Sequence, residues 1–461
     1  YPKGLTELYN NTTPRGSRLD HVDEVVVFGI QYLVKQYFIS EWNEQFFNKT
    51  EDHAINRYVR LIKNTTGGEV DEDNLRALHR LGYLPVRVKS LPEGTLCPIQ
   101  VPLMTIKNTD PRFAWLANYL ETLVQTVTWL PITTATIAYH FRKMLNDFAE
   151  KTTGSNEFCA WQGHDFSMRG MSSVESCKVG GAGHLLSFTG TDTIPAIDFL
   201  EQYYNANIET ELVGGSVPAS EHSVMQVGMT SLGDITTEDG RKQAEILLTD
   251  HLLDLFPQGI LSQVSDTYDY WRFLNEILPL FVDKIRARDG KFVVRPDSGD
   301  PVRVITGYKV QETDLTADEV YGMIKHQTGY MRLFTDGVEC VHTCDGKFIT
   351  PQGEISRLEA EGSMEILWRH FGGTTNLFGY RELDPHIGLI YGDSITYDRA
   401  KKICQRLMDM GFASTNVVFG VGSFTYQYNT RDTFGLACKA TSCVVDGKRH
   451  AVFKAPKTGG M

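Results

Sequence analysis

The sequence predicts an α/β fold, a (β/α) barrel preceded by a region of mixed elements, on three observations. From about residue 185 onward, short apolar runs alternate with amphipathic stretches of helical period, the signature of parallel βα units. Each apolar run ends in a small cluster of Asp, His, Arg, Gly or Ser, and strand ends are where a (β/α) barrel collects its chemistry. Ahead of these units the pattern is mixed, and the change falls between Ile132 and Gly154.

In the first region, residues 24–28 read as a strand and 30–46 as a helix, by the spacing of their apolar positions. Residues 83–103 alternate and are broken by Pro and Gly, which predicts short antiparallel strands. Residues 122–141 carry no Asp, Glu, Lys or Arg, yet they contain Gln125, Pro131 and six threonines. A bilayer core would reject that composition. The segment reads instead as a buried helix, a turn at Pro131 and a second helix.

The barrel region follows in order. Run 185–188 leads into Thr189-Gly190-Thr191-Asp192, and run 215–218 into Ala219-Ser220-Glu221-His222. Run 260–264 leads into Ser265-Asp266, and run 292–294 into Arg295-Pro296-Asp297-Ser298-Gly299. Run 387–391 leads into Gly392-Asp393-Ser394, and run 417–419 into Gly420-Val421-Gly422-Ser423. Helices are expected at 238–256, 268–288 and 397–410. Residues 301–385 break the rhythm with charged, Gly-rich, hairpin-like pieces such as 344–353, and read as an insertion.

Composition narrows the function. A chain of 461 residues, 41% hydrophobic and 22% charged, is globular and has room for two or three domains. A net charge of −12 excludes broad nucleic-acid or acidic-membrane binding, because the summed field repels phosphate. It leaves room for one small anion in a locally basic pocket. Eight cysteines are sparse for this length and predict no secreted disulfide framework, so a reducing cytoplasm is the expected compartment. The spacings of Cys340 with Cys344 and Cys438 with Cys443 match no zinc pattern, and these residues read as structural. The chain opens at Tyr1 without a methionine and closes on Met461, which reads as trimming at both ends.

Several clusters carry chemistry, each beside a plainer alternative. In Arg295-Pro296-Asp297, the arginine can fork onto a pyrophosphate while the carboxylate holds ribose hydroxyls or a metal. The same residues also suit an ordinary turn with an ion pair. Gly392-Asp393-Ser394 and Gly420-Val421-Gly422-Ser423 offer backbone N–H groups to a phosphate, or simply cap helices. Glu221-His222, with Asp266 at the next strand end, supplies a base, a phosphate ligand or a phosphoryl acceptor, or a structural histidine. His164-Asp165-Phe166 with Arg169 puts an aromatic face beside a guanidinium, suited to a flat heteroaromatic ring or to core packing. Lys439, Arg449, Lys454 and Lys457 make the tail locally basic, as a solvated face or a phosphate-facing rim.

Together these stretches resemble the nicotinamide phosphoribosyltransferases. The likeness runs through Asn108-Thr109-Asp110-Pro111, Trp129-Leu130-Pro131-Ile132, His164-Asp165-Phe166, Arg169-Gly170 and Gly190-Thr191-Asp192-Thr193. It continues through Ser216-Val217-Pro218-Ala219, Glu221-His222-Ser223, Ser265-Asp266, Arg295 to Gly299, Gly392-Asp393 and Thr430-Arg431-Asp432. It implies an irregular (β/α) barrel of the type II phosphoribosyltransferase kind beside a mixed α+β domain built from both chain ends. The domains would be 1–145 joined by 432–461, and 146–431 with the insertion at about 301–385.

The implied activity is transfer of 5-phosphoribosyl from phosphoribosyl pyrophosphate to nicotinamide, giving nicotinamide mononucleotide and pyrophosphate. Magnesium, held mainly by ligand phosphates, and ATP as an optional co-substrate come with it, as does a homodimer with interface active sites. Position by position, the resemblance implies that Phe166 stacks on the pyridine and Asp192 accepts a bond from its carboxamide. Arg169, His222 and Arg295 would face the pyrophosphate and Asp297 the ribose, while Gly392, Asp393, Gly422 and Ser423 would surround the ribose phosphate. Ser216 and Pro296 join the substrate-binding set, and Asp266 and Glu221 the catalytic one. Arg431, Lys439 and Lys454 would reach over from the partner subunit, and His222 resembles the family's phosphorylated histidine.

The chain departs from the family where Ser394 and Ser423 stand in glycine-rich turns. It also departs in lacking an aromatic that the family carries just ahead of Tyr1. The nearest alternative is a nicotinate phosphoribosyltransferase, with Asp192 as the discriminating residue. A silent nucleotide sensor is a rival of another class, and the complete set Arg169, Arg295, Asp297 and His222 speaks against it.

Overall fold

The structure is a computed structural model and describes residues 1–335, 337–392 and 394–454. Its centre is a six-stranded parallel sheet. In spatial order the strands are Gly190–Thr191, Gly163–Asp165, Val417–Val421, Ile387–Tyr391, Asp289–Arg295 and Gln258–Val264. Ile387–Tyr391 is buried along its whole length, as a parallel strand covered on both faces should be. The segment around 215–219 pairs with both edges of this sheet: Gly215 bridges Gly190, and Ala219 bridges Ser262.

Helices Tyr397–Asp409, Glu238–Leu255 and Val174–Leu185 run between or beside these strands. A second, antiparallel sheet joins sequence-distant strands in the order Lys448–Ala451, Ala437–Val445, Leu5–Thr13, Met104–Asn108 and Val86–Ser90. The two sheets are linked by helix Glu121–Thr153, whose side chains enter the hydrophobic clusters on both sides.

That helix corrects one expectation. Residues 121–153 form one continuous helix with Pro131 inside it, and no turn interrupts them. An internal proline loses one backbone bond and costs about 3 kcal/mol, but burial of most of the helix outweighs that. The threonines solve their own burial problem. Thr128, Thr134 and Thr136 donate back to the carbonyls of Val124, Leu130 and Ile132 at 2.7, 3.0 and 2.6 Å. Among the described residues, no helix is long and apolar enough to cross a membrane.

Other expectations shift as well. The run at 185–188 ends a helix, and only Gly190–Thr191 is strand there. The run at 215–218 forms no regular strand, only the two bridges named above. Val86–Ser90 pairs with Met104–Asn108, while Leu96–Pro98 turns away to pair with Glu24–Val26. The stretch 268–288 is a chain of short turns, Tyr270–Arg272, Phe273–Ile277, Leu278–Phe281 and Val282–Arg286, broken at Pro279. Residues 30–47 are helical but mostly in wide π-type turns.

The stretch 301–385 is only partly a separate body. Helices Pro301–Thr306 and Arg357–Phe371 place Val302, Ile305, Met364 and Leu367 in the main core. Between them a small four-stranded sheet, including Cys340–His342 and the hairpin Phe348–Thr350 with Gly353–Ile355, has its own core of Ala317, Val320, Leu333, Val341 and Ile349. The two ends of this piece meet where Gly307, at φ 60°, crosses Gly362, at φ 78°, backbone against backbone. The buried Arg406 donates to Thr306 and to the Gly307 carbonyl there.

Candidate active site

The carboxyl ends of the parallel strands open into a cavity of about 520 Å³. Arg295 ends strand Asp289–Arg295 and is largely enclosed. One guanidinium nitrogen donates to the Ser220 carbonyl at 2.7 Å, which anchors the group, and its Nε has no partner. Burial pulls its pKa down from the ordinary arginine value, with Asp297, Asp192 and Asp266 opposing. Even so, an arginine stays charged. The guanidinium lies 5.9 Å from the centre of the Phe166 ring.

Phe166 sits just past strand Gly163–Asp165, its N–H donating to the Val421 carbonyl at 3.0 Å. Gly420 lies beneath the ring. A Cβ there would fall 2.8 Å from Phe166 and 2.7 Å from the Tyr391 carbonyl.

His222 opens helix His222–Thr230, with Glu221 as its N-cap residue accepting a bond from Ser223. Its Nε2 lies 3.0 Å from Asp266 Oδ1. A carboxylate accepts, so Nε2 carries a proton, and in the neutral form of the ring Nδ1 keeps its lone pair. The other oxygen of Asp266 accepts the backbone N–H of Asp297 at 2.9 Å. One buried carboxylate therefore ties the His222 and Asp297 loops together. Arg169, Glu221, His222, Arg295, Asp297 and Gly392 all line the same cavity.

Gly392 follows strand Ile387–Tyr391, and its N–H donates to the Pro296 carbonyl at 3.1 Å. A Cβ at Gly392 would fall 2.6 Å from the Asp297 carboxylate, so a side chain there would push that carboxylate aside. Asp393 lies outside the described residues. Ser394 takes up φ 54°, a left-handed backbone that a glycine holds more readily, and Arg399 donates to its carbonyl at 2.6 Å. Gly422 is the residue ahead of the short helix Ser423–Tyr426, and Ser423 packs on Gly170, next to Arg169.

Asp192 stands past strand Gly190–Thr191 and accepts twice on one oxygen. His164 Nε2 is 2.8 Å and Ser216 Oγ 2.5 Å from its Oδ1. Burial works to raise its pKa, but the bonds from His164 and Ser216 and the field of Arg295 prevail and hold the carboxyl below its usual value. Asp192 is thus an ionised acceptor at neutral pH. Behind it a deeper chamber of about 370 Å³ shares Phe166, Asp192 and Arg295 with the cavity and runs on between Trp161, Val293 and Lys291.

Asp266, Pro296, Gly422 and Ser423 stand behind or beside this cavity without lining it, Ser216 lines the deeper chamber, and Arg431, Lys439 and Lys454 lie away from both. Arg431 donates to the Leu436 carbonyl at 3.1 Å and pairs with Asp432 at 2.6 Å, Lys439 pairs with Glu121, and Lys454 is exposed. All eight cysteines are unbridged, and no group of three metal-ligating side chains occurs among the described residues. His164 as a partner of Asp192 escapes sequence reading. Its strand is three residues long and half polar, so no alternating pattern marks which way the imidazole points.

Residues 161–459 match the nicotinate phosphoribosyltransferase (NAPRTase) family. A protein of Acinetobacter baylyi named nicotinamide phosphoribosyltransferase is 41% identical over 470 residues, covering 99% of this chain and 82% of that one. A protein of the same name from Xanthomonas campestris is 30% identical over 464 residues, covering 99% and 81%. Among solved structures, human nicotinic acid phosphoribosyltransferase aligns at a TM-score of 0.47 with 14% identity, over 96% of this chain and 71% of that one, too loosely to compare residues.

Proposed function

This chain belongs to the nicotinate phosphoribosyltransferase family, and on that premise we propose that it transfers 5-phosphoribosyl from phosphoribosyl pyrophosphate to nicotinamide. The products are nicotinamide mononucleotide and pyrophosphate. The observation that carries the reading is convergence. Two arginines, His222 backed by the buried Asp266, and Asp297 meet around one cavity beside an aromatic ring and an ionised Asp192.

Each group has a task in that reaction. As the bond from ribose C1 to the diphosphate lengthens, negative charge grows on the leaving group, and Arg169 and Arg295, both on the wall of the cavity, receive it. Asp297 faces the ribose, where positive charge develops. The pyridine nitrogen attacks with its own lone pair and needs no base, so alignment is the remaining demand. Phe166 supplies the platform, and Asp192 accepts the carboxamide N–H. Magnesium would arrive on the substrate's phosphates and would help to neutralise the diphosphate; among the described residues no group of three metal-ligating side chains is found.

His222, with Nδ1 free to act as nucleophile, takes the γ-phosphoryl of ATP, ADP leaving, and water later releases phosphate. The double bridging of the sheet edges by 215–219 supports an irregular barrel of the type II phosphoribosyltransferase kind. The five-stranded sheet supports a second mixed domain, residues 1–145 with 432–461, beside 146–431 and its insertion. In a homodimer with interface sites, Arg431, Lys439 and Lys454 serve the partner's cavity. We place the enzyme in the cytoplasm.

The test is direct: protein, phosphoribosyl pyrophosphate, Mg²⁺ and nicotinamide are incubated and mononucleotide is measured. Product from nicotinate in place of nicotinamide would move the reading to nicotinate phosphoribosyl transfer, and no product from either would reject both.

A further inference from the structure

We propose that His164 and Ser216 are the positioning residues that set the enzyme's choice of amide over acid, acting through Asp192. The inference rests on the reading that nicotinamide binds at this site. Both donors converge on Asp192 Oδ1, one from strand Gly163–Asp165 and one from the bridging segment just past Gly215. With Oδ1 occupied twice, Oδ2 is left as the acceptor available to a ligand, and no hydrogen bond to it arises from the described residues. The orientation of one carboxylate, more than its mere presence, then decides what the pyridine's substituent meets.

The imidazole is itself held in a fixed slot. Its side chain is 11% exposed, and its ring lies 4.6 Å from that of Phe166. On the neighbouring strand Gly190 clears the space, since a Cβ there would sit 2.8 Å from His164 Nδ1. The Asp192 side chain, by contrast, is 43% exposed and has room to rotate.

Removing His164 should therefore act on both pyridines in opposite directions. A carboxylate free to turn accepts the carboxamide N–H in fewer of its orientations. A carboxylate free to turn can also swing its charge away from a nicotinate carboxylate and so opposes that substrate less.

The experiment compares wild type, His164→Ala, His164→Gln, Ser216→Ala and Asp192→Asn in the full chain. Phosphoribosyl pyrophosphate and Mg²⁺ are held saturating, and kcat/KM is measured for nicotinamide and for nicotinate. His164→Ala should lower the amide-to-acid ratio about tenfold, the worth of one hydrogen bond to a charged group. The change should fall mainly on the KM for nicotinamide. His164→Gln, whose amide N–H takes over the Nε2 bond, should restore most of the ratio. Ser216→Ala removes one hydroxyl at an exposed residue, should fold without difficulty, and should shift the ratio several-fold in the same direction.

A purely structural histidine would lower both efficiencies by one factor and leave the ratio alone. That result, or an unmoved ratio in Ser216→Ala, while Asp192→Asn collapses the ratio, overturns the proposal. If Asp192→Asn also leaves the ratio unchanged, the fault lies in the placement of nicotinamide at Asp192.

Discussion

Replacing Asp192 by asparagine removes one charge and keeps the shape. A nicotinate carboxylate about 4 Å from an ionised Asp192 is opposed by roughly 1 kcal/mol at the dielectric of water and about 4 at an effective value near 20. The side chain is 43% exposed, so the lower part of that range applies, about 1–2 kcal/mol. The structure adds a second contribution. Because His164 and Ser216 both donate toward Oδ1, the asparagine must put its oxygen there and turn its NH₂ to the ligand. The ligand-facing acceptor becomes a donor, which suits a carboxylate and obliges a carboxamide to flip.

The combined swing in amide-to-acid preference is tenfold to about a hundredfold. The assay is kcat/KM for the two pyridines at saturating phosphoribosyl pyrophosphate, with thermal melting to confirm folding. A folded variant whose ratio stays within about twofold of wild type would refute the electrostatic reasoning.

Other outcomes are expected elsewhere. His222→Ala should abolish the increment in rate that ATP supplies and leave no acid-labile phosphoryl group on the protein; stimulation that persists would remove His222 from the ATP cycle. Gly420→Ala forces a methyl group against the Tyr391 and Gly392 carbonyls and Phe166, all within 2.8 Å. Overpacking of that kind costs about 1–3 kcal/mol, and it should raise the KM for nicotinamide along with lowering the melting temperature; unchanged kinetics would show that the ring is not the platform. Glu245 is fully buried, both its oxygens lack partners, and burial pushes its carboxyl up to about 7 from an ordinary 4.5. The folded chain thus holds this proton longer than the unfolded one, so its contribution is complete below about pH 4.5 and is lost as pH rises through about 7. Glu245→Gln should gain up to about 3 kcal/mol at pH 8 and little at pH 5; an equal gain at both would refute the assignment.

What could be read in the sequence follows from where its signals are local. Arg295, Asp266 and Gly392 were legible because each stands at or just past the end of a strand that closes on three to five buried residues, and a residue at that point in a parallel sheet faces the open end. The stretch 215–219 carries Gly, Ser and Pro where a strand should be, and its two bridges depend on partners far along the chain. Pro131 misled for the opposite reason. Its local preference is to break a helix, and packing on both sides overrides it. The flanks of the 301–385 stretch looked foreign by composition, yet helices Pro301–Thr306 and Arg357–Phe371 pack into the main core. The pairing of His164 with Asp192 joins two strand ends that only the folded sheet brings side by side.

The crossing of Gly307 and Gly362 carries a consequence for how this molecule tolerates variation. Chain leaves the body and returns to it through one narrow neck, riveted by Arg406, and everything between folds around a nucleus of its own. Such a pendant should tolerate being lengthened, trimmed or exchanged like a cassette, because its nucleus shares no residue with the core around the parallel strands.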